Sequence, residues 1–281
     1  MAELTISKED FLKFREFFYR KTGIQFDDSK RYFVDRRLIE RVEATDSGNF
    51  RNYFMMLRFE TSGEEIQTLT NLMTVNETYF FREEYQFKCM VNSILPEIVK
   101  HKKDSSPIRI WSMPSSSGEE PYSIAMYLLE YWPGINQWDV EIISSDIDTK
   151  ILAQARRGCY SPRSVANLPK SLLGKYFRPS GPDYQICEDL RQAVEFTRVN
   201  LMNAADVRGY RGFDLIFCRN LLIYFDDLSR RQAADTFYDA LHPGGFLCLG
   251  HSESMSRISS LYKARKFSDS VVYQKIGEGA A

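Results

Sequence analysis

Histidine is scarce in this 281-residue sequence: only His101, His242 and His251, far apart along the chain. The five cysteines (Cys89, Cys159, Cys187, Cys218 and Cys248) are odd in number and contain no C-x-x-C pair. Clustered Cys/His metal sites and a disulfide framework are therefore not expected, and reduced, mostly buried thiols are. The start, "MAELTISKED", lacks an apolar signal core. No apolar run approaches the roughly 20 residues that span a bilayer, so a cytoplasmic protein without membrane insertion is expected. Nor is there an excess of charge of one sign. The 37 basic and 38 acidic residues leave a net charge of −1, which gives no global argument for nucleic acid.

Aromatic residues, by contrast, are plentiful, with 20 Phe, 16 Tyr and 3 Trp available to fill a core. The first 75 residues read as helices. In "ISKEDFLKFREFFYRKTG", Ser7 is a candidate N-cap, Ile6 and Phe11 a hydrophobic staple, and Gly23 a C-cap, with Phe11, Phe14 and Phe18 at helical spacing. Further helices are predicted at about 29–43, 50–58 and 64–73. From Ile108 the pattern changes to short apolar runs, "IRIWS", "VEIIS", "FDLIFC" and "GFLCLG", alternating with amphipathic stretches at 118–130, 149–156 and 228–241. That alternation predicts a parallel sheet with helical crossovers. "YQICEDL" and "AVEFTRV" read as an inserted antiparallel hairpin, and "YKARKF" and "SVVYQKI" as a final one. "HKKDSSP" reads as a polar connector and "GEGAA" as a frayed tail. The expected division is a helical domain at 1–75, a linker at 76–107 and an α/β domain at 108–281, with the insertion at about 176–198.

The chemistry-bearing stretches lie where such a sheet would bind a ligand. "IRIWSMPSSSGEEPYS" runs from a strand into a helix, the layout of a nucleotide-cofactor turn, but Gly118 is its only glycine. The G-x-G-x-x-G that brings backbone against a pyrophosphate is missing, which disfavours NAD and FAD. S-adenosylmethionine carries no phosphate and tolerates a less open turn. Ser117 to Glu120 is also S-x-x-E, a capping box, so Glu120 is either a cap or a cofactor contact. Asp146 ends a strand, where an acid commonly holds ribose hydroxyls, while Asp148 reads as a helix N-cap. In "VNETYFFREEYQF", Thr78 and Arg82 would share a face if the stretch is helical, as they would in a bland linker helix too. "FDLIFCRNLLIYFD" brings Arg219 and Asn220 to a strand's carboxyl end, with Tyr224 beyond. On the helix near 30–43, Lys30, Arg37 and Arg41 fall within a stripe of about 40°, either a solvated surface or a docking face for an acidic partner.

Taken in order, "NETYFFRE", "SGEEPYSIAM", "SDIDTKIL", "VNLM", "IFCRNLLIYFD" and "GHSE" resemble the chemotaxis receptor glutamate methyltransferases, the CheR family, over nearly the whole chain. The resemblance implies an all-α N-terminal domain and a Rossmann-like S-adenosylmethionine methyltransferase domain with an inserted antiparallel β-subdomain. It implies a cofactor site at Asn76, Thr78, Arg82, Glu120, Asp146, Asn200, Leu201, Arg219 and Asn220, with Arg82 and Tyr224 nearest the transferred methyl. It also implies docking of the basic helix, Lys30, Arg37 and Arg41, on the cytoplasmic helical bundle of a chemoreceptor. The family usually has small residues where this chain has Met113 and Pro114, which predicts an altered cofactor fit. The short insertion, with only Gly181 left of a longer glycine-containing loop, predicts no tether to a receptor pentapeptide. The competing expectation is a non-catalytic protein that senses S-adenosylmethionine or S-adenosylhomocysteine.

Overall fold

The computed structural model describes residues 4–102 and 106–276. The 277–281 tail and the middle of the polar connector lie outside the described residues.

Helix α1 (Lys8–Thr22) begins where the Ser7 Oγ accepts the Asp10 N–H at 3.1 Å. It ends at Gly23, whose φ of 74° lets its N–H turn back to the Tyr19 carbonyl. A 3-10 turn (Asp28–Lys30) leads into α2 (Arg31–Ala44), followed by α3 (Phe50–Phe59) and α4 (Glu64–Met73). Each helix turns one apolar stripe inward. Phe11, Phe14, Phe18, Val34, Leu38, Val42, Phe50, Tyr53, Leu57, Leu69 and Met73 form a core of their own. After an irregular stretch, α5 (Glu84–Cys89) continues through a π-turn at 90–94 into α6 (Leu95–His101).

The strands of the large sheet are β1 (Ile108–Ser112), β2 (Val140–Asp146), β6 (Val194–Arg198), β7 (Phe213–Cys218), β8 (Leu241–Leu249), β9 (Tyr262–Lys266) and β10 (Val271–Lys275). Their order is β6-β2-β1-β7-β8-β10-β9. The first five neighbours pair in parallel, whereas β10 runs against both β8 and β9. The crossovers are α7 (Glu119–Tyr131), α8 (Thr149–Arg157) and α12 (Asp227–Ala240), with the short α10 (Glu188–Gln192) before β6 and α11 (Ala204–Val207) after it. The strands carry near-continuous apolar runs because both faces are covered, and β7 is buried at every residue.

One expectation needs correction. "AVEFTRV" is not half of an inserted hairpin: its strand β6 is the edge of the large sheet, parallel to β2 with Ser144 opposite Phe196. The small sheet is instead β3 (Cys159–Tyr160), β5 (Asp183–Ile186) and β4 (Phe177–Ser180), preceded by α9 (Lys170–Tyr176). "YQI" pairs with Phe177–Pro179, across a turn at Gly181. The misreading has a physical source. Val194 and Phe196 are buried while Glu195 is exposed, the alternation common to edge and hairpin strands alike.

Candidate active site

The sheet reverses its winding between β1 and β7, the position where open α/β sheets bind ligands beyond their carboxyl ends. A cavity of about 570 Å³ opens there. Its walls include Pro114 and Ser116 after β1, Asp146 and Ile147 at the end of β2, and Arg219 to Leu221, Ile223 and Tyr224 after β7. Asn76, Thr78, Tyr79 and Arg82 close it from the linker. Ile24 to Asp27, Lys30 and Phe33 close it from the helical region, a contribution the sequence reading missed.

Asp146 is 3% exposed and, among the described residues, forms no ion pair. Its Oδ2 accepts the Ser116 N–H at 2.8 Å and its Oδ1 the Asp148 N–H at 3.0 Å. Burial pushes its carboxyl up to about 6 against the pull of those N–H donors. Asp148 caps α8, accepting the Lys150 and Ile151 N–H groups on Oδ1. Its Oδ2 takes the Thr74 hydroxyl and the Asn76 amide, so the same residue ties the linker to the β2 turn.

Glu120 is not a helix cap. The capping position of α7 is Gly118, and the Ser117 hydroxyl goes to Glu119. Glu120 accepts from Ser112 Oγ and pairs with Arg219 at 2.9 Å. Burial raises the Glu120 pKa, and Arg219 opposes the rise. Arg219 also donates to the Arg82 carbonyl at 2.6 Å and lies 3.5 Å from Glu83, so one buried guanidinium joins the β7 loop, the linker and α7. Gly118 is needed for packing: its φ is 97°, and a Cβ would lie 3.0 Å from both the Ala155 Cβ and the Tyr160 hydroxyl.

Arg82 is half-buried, with its guanidinium on the Glu77 carbonyl. Tyr224, 38% exposed, has its pKa raised by burial against the opposing field of Arg82. Among the described residues five non-glycine residues have positive φ; Ser116 and Asn220 line the cavity, and Phe81 and Glu83 flank Arg82, which does. Such backbone persists only where its surroundings hold it.

The structure thus brings together Asn76, Thr78, Arg82, Glu120, Asp146, Arg219, Asn220 and Tyr224. Asn200 and Leu201 are not on this wall. Asn200 donates to the Lys21 carbonyl and lines a polar cleft that shares only Ile147 with the cavity. Leu201 is buried in an apolar cluster. The basic stripe does not assemble either. Lys30 lines the cavity, Arg37 bonds the Leu72 and Phe33 carbonyls, and Arg41 forms a two-pronged pair with Glu65. Met113 is 4% exposed, inside an apolar cluster, so only Pro114 of the unusual pair reaches the cavity.

Two buried polar atoms of wall residues, Ser116 Oγ and Arg219 Nε, have no hydrogen-bond partner among the described residues. With a buried carboxylate at the end of β2 and no glycine cradle for a pyrophosphate, this donor set fits S-adenosylmethionine. A parallel sheet with one strand reversed near its edge, carrying this cavity at its switch point, defines a Rossmann-like S-adenosylmethionine-dependent methyltransferase.

Comparison with known proteins narrows the class. Residues 76–271 match the CheR methyltransferase SAM binding domain and residues 9–74 the CheR methyltransferase all-alpha domain. The chain is 56% identical over 281 residues to chemotaxis protein methyltransferase 2 of Vibrio cholerae, covering 99% of this chain and 97% of that one. It is 38% identical over 268 residues to chemotaxis protein methyltransferase 2 of Pseudomonas aeruginosa, covering 93% and 92%. It is 34% identical over 270 residues to the chemotaxis protein methyltransferase of Escherichia coli, covering 93% and 90%. The chain belongs to the CheR methyltransferase family. No helix among the described residues is long and apolar enough to cross a membrane, and no group of residues among them is arranged to hold a metal ion.

Proposed function

We propose that this protein forms methyl esters on glutamate side chains in the cytoplasmic helical bundle of a chemoreceptor. The observation that carries the reading is the cavity at the carboxyl ends of β1, β2 and β7, with two buried polar atoms of its wall residues unpaired among the described residues and Arg82 and Tyr224 at its edge. S-adenosylmethionine supplies an electrophilic methyl on a sulfonium, so transfer to a carboxylate oxygen leaves a neutral ester and a neutral thioether. A free glutamate has a pKa near 4.3 and is already ionised at neutral pH, so no general base is required.

The chain's own residues then bind, orient and exclude water. Asp146 accepts the ribose hydroxyls. Arg219, Glu120, Asn76, Thr78 and Asn220 hold the amino-acid end, and Ile147, which the cavity shares with the cleft that Asn200 lines, marks the adenine side. Arg82 orients the substrate carboxylate, and Tyr224 flanks the methyl. The segment from Ile24 to Phe33 covers the cavity, which shortens the encounter distance and keeps bulk water out. On α2, Arg37 and Arg41 hold the docking helix in place, while the exposed Arg36 and, in the turn before it, the exposed Lys30 meet acidic receptor residues. The β4–β5 turn is only Gly181 and Pro182, which supports the absence of a pentapeptide tether. The sensor alternative rests on Met113 and Pro114, of which Met113 is in the core and Pro114 alone lines the cavity.

The test is transfer of labelled methyl from S-adenosylmethionine to receptor-containing membranes. Base-labile label is expected, and Arg82→Ala should lower the rate about 10²–10³-fold. Tight cofactor binding with no transfer to any receptor contradicts the reading.

A further inference from the structure

The "GHSE" stretch, Gly250 to Glu253, follows β8 and has no place in the site described so far. Glu253 does not line the cofactor cavity, yet both of its carboxylate oxygens hold the loop that does. Oε2 accepts the Asn220 N–H at 2.8 Å and the Gly250 N–H at 2.9 Å, and Oε1 accepts the Leu222 N–H at 2.8 Å. Asn220 sits at φ 58°, a conformation that a non-glycine residue leaves unless it is held. Leu222 opens the 3-10 turn Leu222–Tyr224, whose first N–H groups lack partners of their own. Asn220, Leu221, Ile223 and Tyr224 all face the cavity. The approach is close enough to require a glycine, since a Cβ on Gly250 would lie 2.8 Å from Glu253 Oε2 and 2.9 Å from the Asn220 nitrogen. We infer that Glu253 is a positioning residue: its carboxylate clamps the Asn220–Tyr224 loop from behind and sets both the cofactor wall and Tyr224. Burial raises the Glu253 pKa, and the backbone N–H groups of Asn220, Gly250, Leu222 and Ile223 oppose it.

The inference rests on the cavity being the S-adenosylmethionine site, and the experiment separates the two. S-adenosylhomocysteine binding is measured by calorimetry for the wild type, Glu253→Gln, Glu253→Asp, Asp146→Asn and Tyr262→Phe. Tyr262 bonds the Ala234 carbonyl, so its variant gives a destabilised control outside the cavity. Glutamine turns an NH₂ toward backbone donors, so Glu253→Gln should raise Kd at least about tenfold. Glu253→Asp, which keeps both oxygens, should recover part of that loss, and Tyr262→Phe should stay within about twofold of wild type. A Glu253→Gln Kd within twofold of wild type, beside a weakened Asp146→Asn, overturns the clamp alone. An unchanged Asp146→Asn overturns the cavity assignment itself. If Glu253→Gln does not fold, amide hydrogen exchange in the wild type decides: S-adenosylhomocysteine should slow exchange at Asn220, Leu222 and Gly250 together, and no slowing at these three overturns the clamp.

Discussion

The central sheet has a buried aspartate at each end, and the two are built in opposite ways. At the amino ends of the strands, Asp214 takes the Lys102 ammonium on both oxygens at 3.1 and 3.2 Å and the Arg109 N–H at 2.9 Å. At the carboxyl ends, Asp146 has backbone N–H donors and, among the described residues, no ion pair, and its pKa climbs to about 6. A cavity adjoins each, of about 470 Å³ beside Asp214 and about 570 Å³ beside Asp146, so volume does not tell them apart. What differs is the chemistry left over. A carboxylate paired with a lysine serves stability, whereas one held by backbone N–H groups, on a cavity wall that also carries Ser116 and Arg219, retains capacity for a ligand.

The largest expected effect falls on the saturated end. Asp214→Asn leaves the Lys102 charge buried without a partner, and losing one member of a buried pair costs about 3–5 kcal/mol. Its urea midpoint should fall accordingly. Close behind is Met113→Ala, which empties part of a core cluster and should cost about 2–5 kcal/mol while S-adenosylhomocysteine affinity stays within about twofold. A large gain in affinity would mean that Met113 reaches the cofactor after all. Gly118→Ala places a side chain at positive φ against three close neighbours, and thermal unfolding should report a loss of about 1–3 kcal/mol.

The smallest effect is in pH. Asp146 holds its proton more tightly in the folded chain than in the unfolded one, whose aspartates titrate near 3.9. Its contribution to stability is therefore complete at low pH and is lost as pH rises from about 4 to about 6. Ligand binding runs the other way, because ribose hydroxyls need the ionised carboxylate as acceptor. S-adenosylhomocysteine affinity should weaken as pH falls below about 6, by up to about tenfold per unit, and Asp146→Asn should flatten that slope.

Much of this contrast was legible in the sequence, because local chemistry carries it. Ser7 and Gly23 bound α1 as their residue types predict, Asp148 caps α8, and Asp146, Arg219 and Asn220 lie at strand ends read directly from apolar runs. What sequence reading lost depends on partners far along the chain. Glu120 reads equally as a cap or a cofactor contact until Arg219, 99 residues away, arrives beside it. Arg37 and Arg41 read as a free cationic stripe until α4 supplies Leu72 and Glu65. The strand β6 reads as a hairpin partner until β2 is seen alongside it. The cover from Ile24 to Phe33 carried no chemical signature at all, since its place is set by Gln25 and Ile24 bonding the backbone at Tyr224 and Phe225.

The measurement that tests the account most directly is the calorimetric affinity for S-adenosylhomocysteine of Asp146→Asn beside Asp214→Asn, at a temperature where both are folded. We predict that Asp146→Asn weakens binding at least about tenfold and that Asp214→Asn, though less stable, binds as the wild type does. Lost binding in Asp214→Asn with unchanged binding in Asp146→Asn would contradict the assignment of the cofactor to the carboxyl end of the sheet.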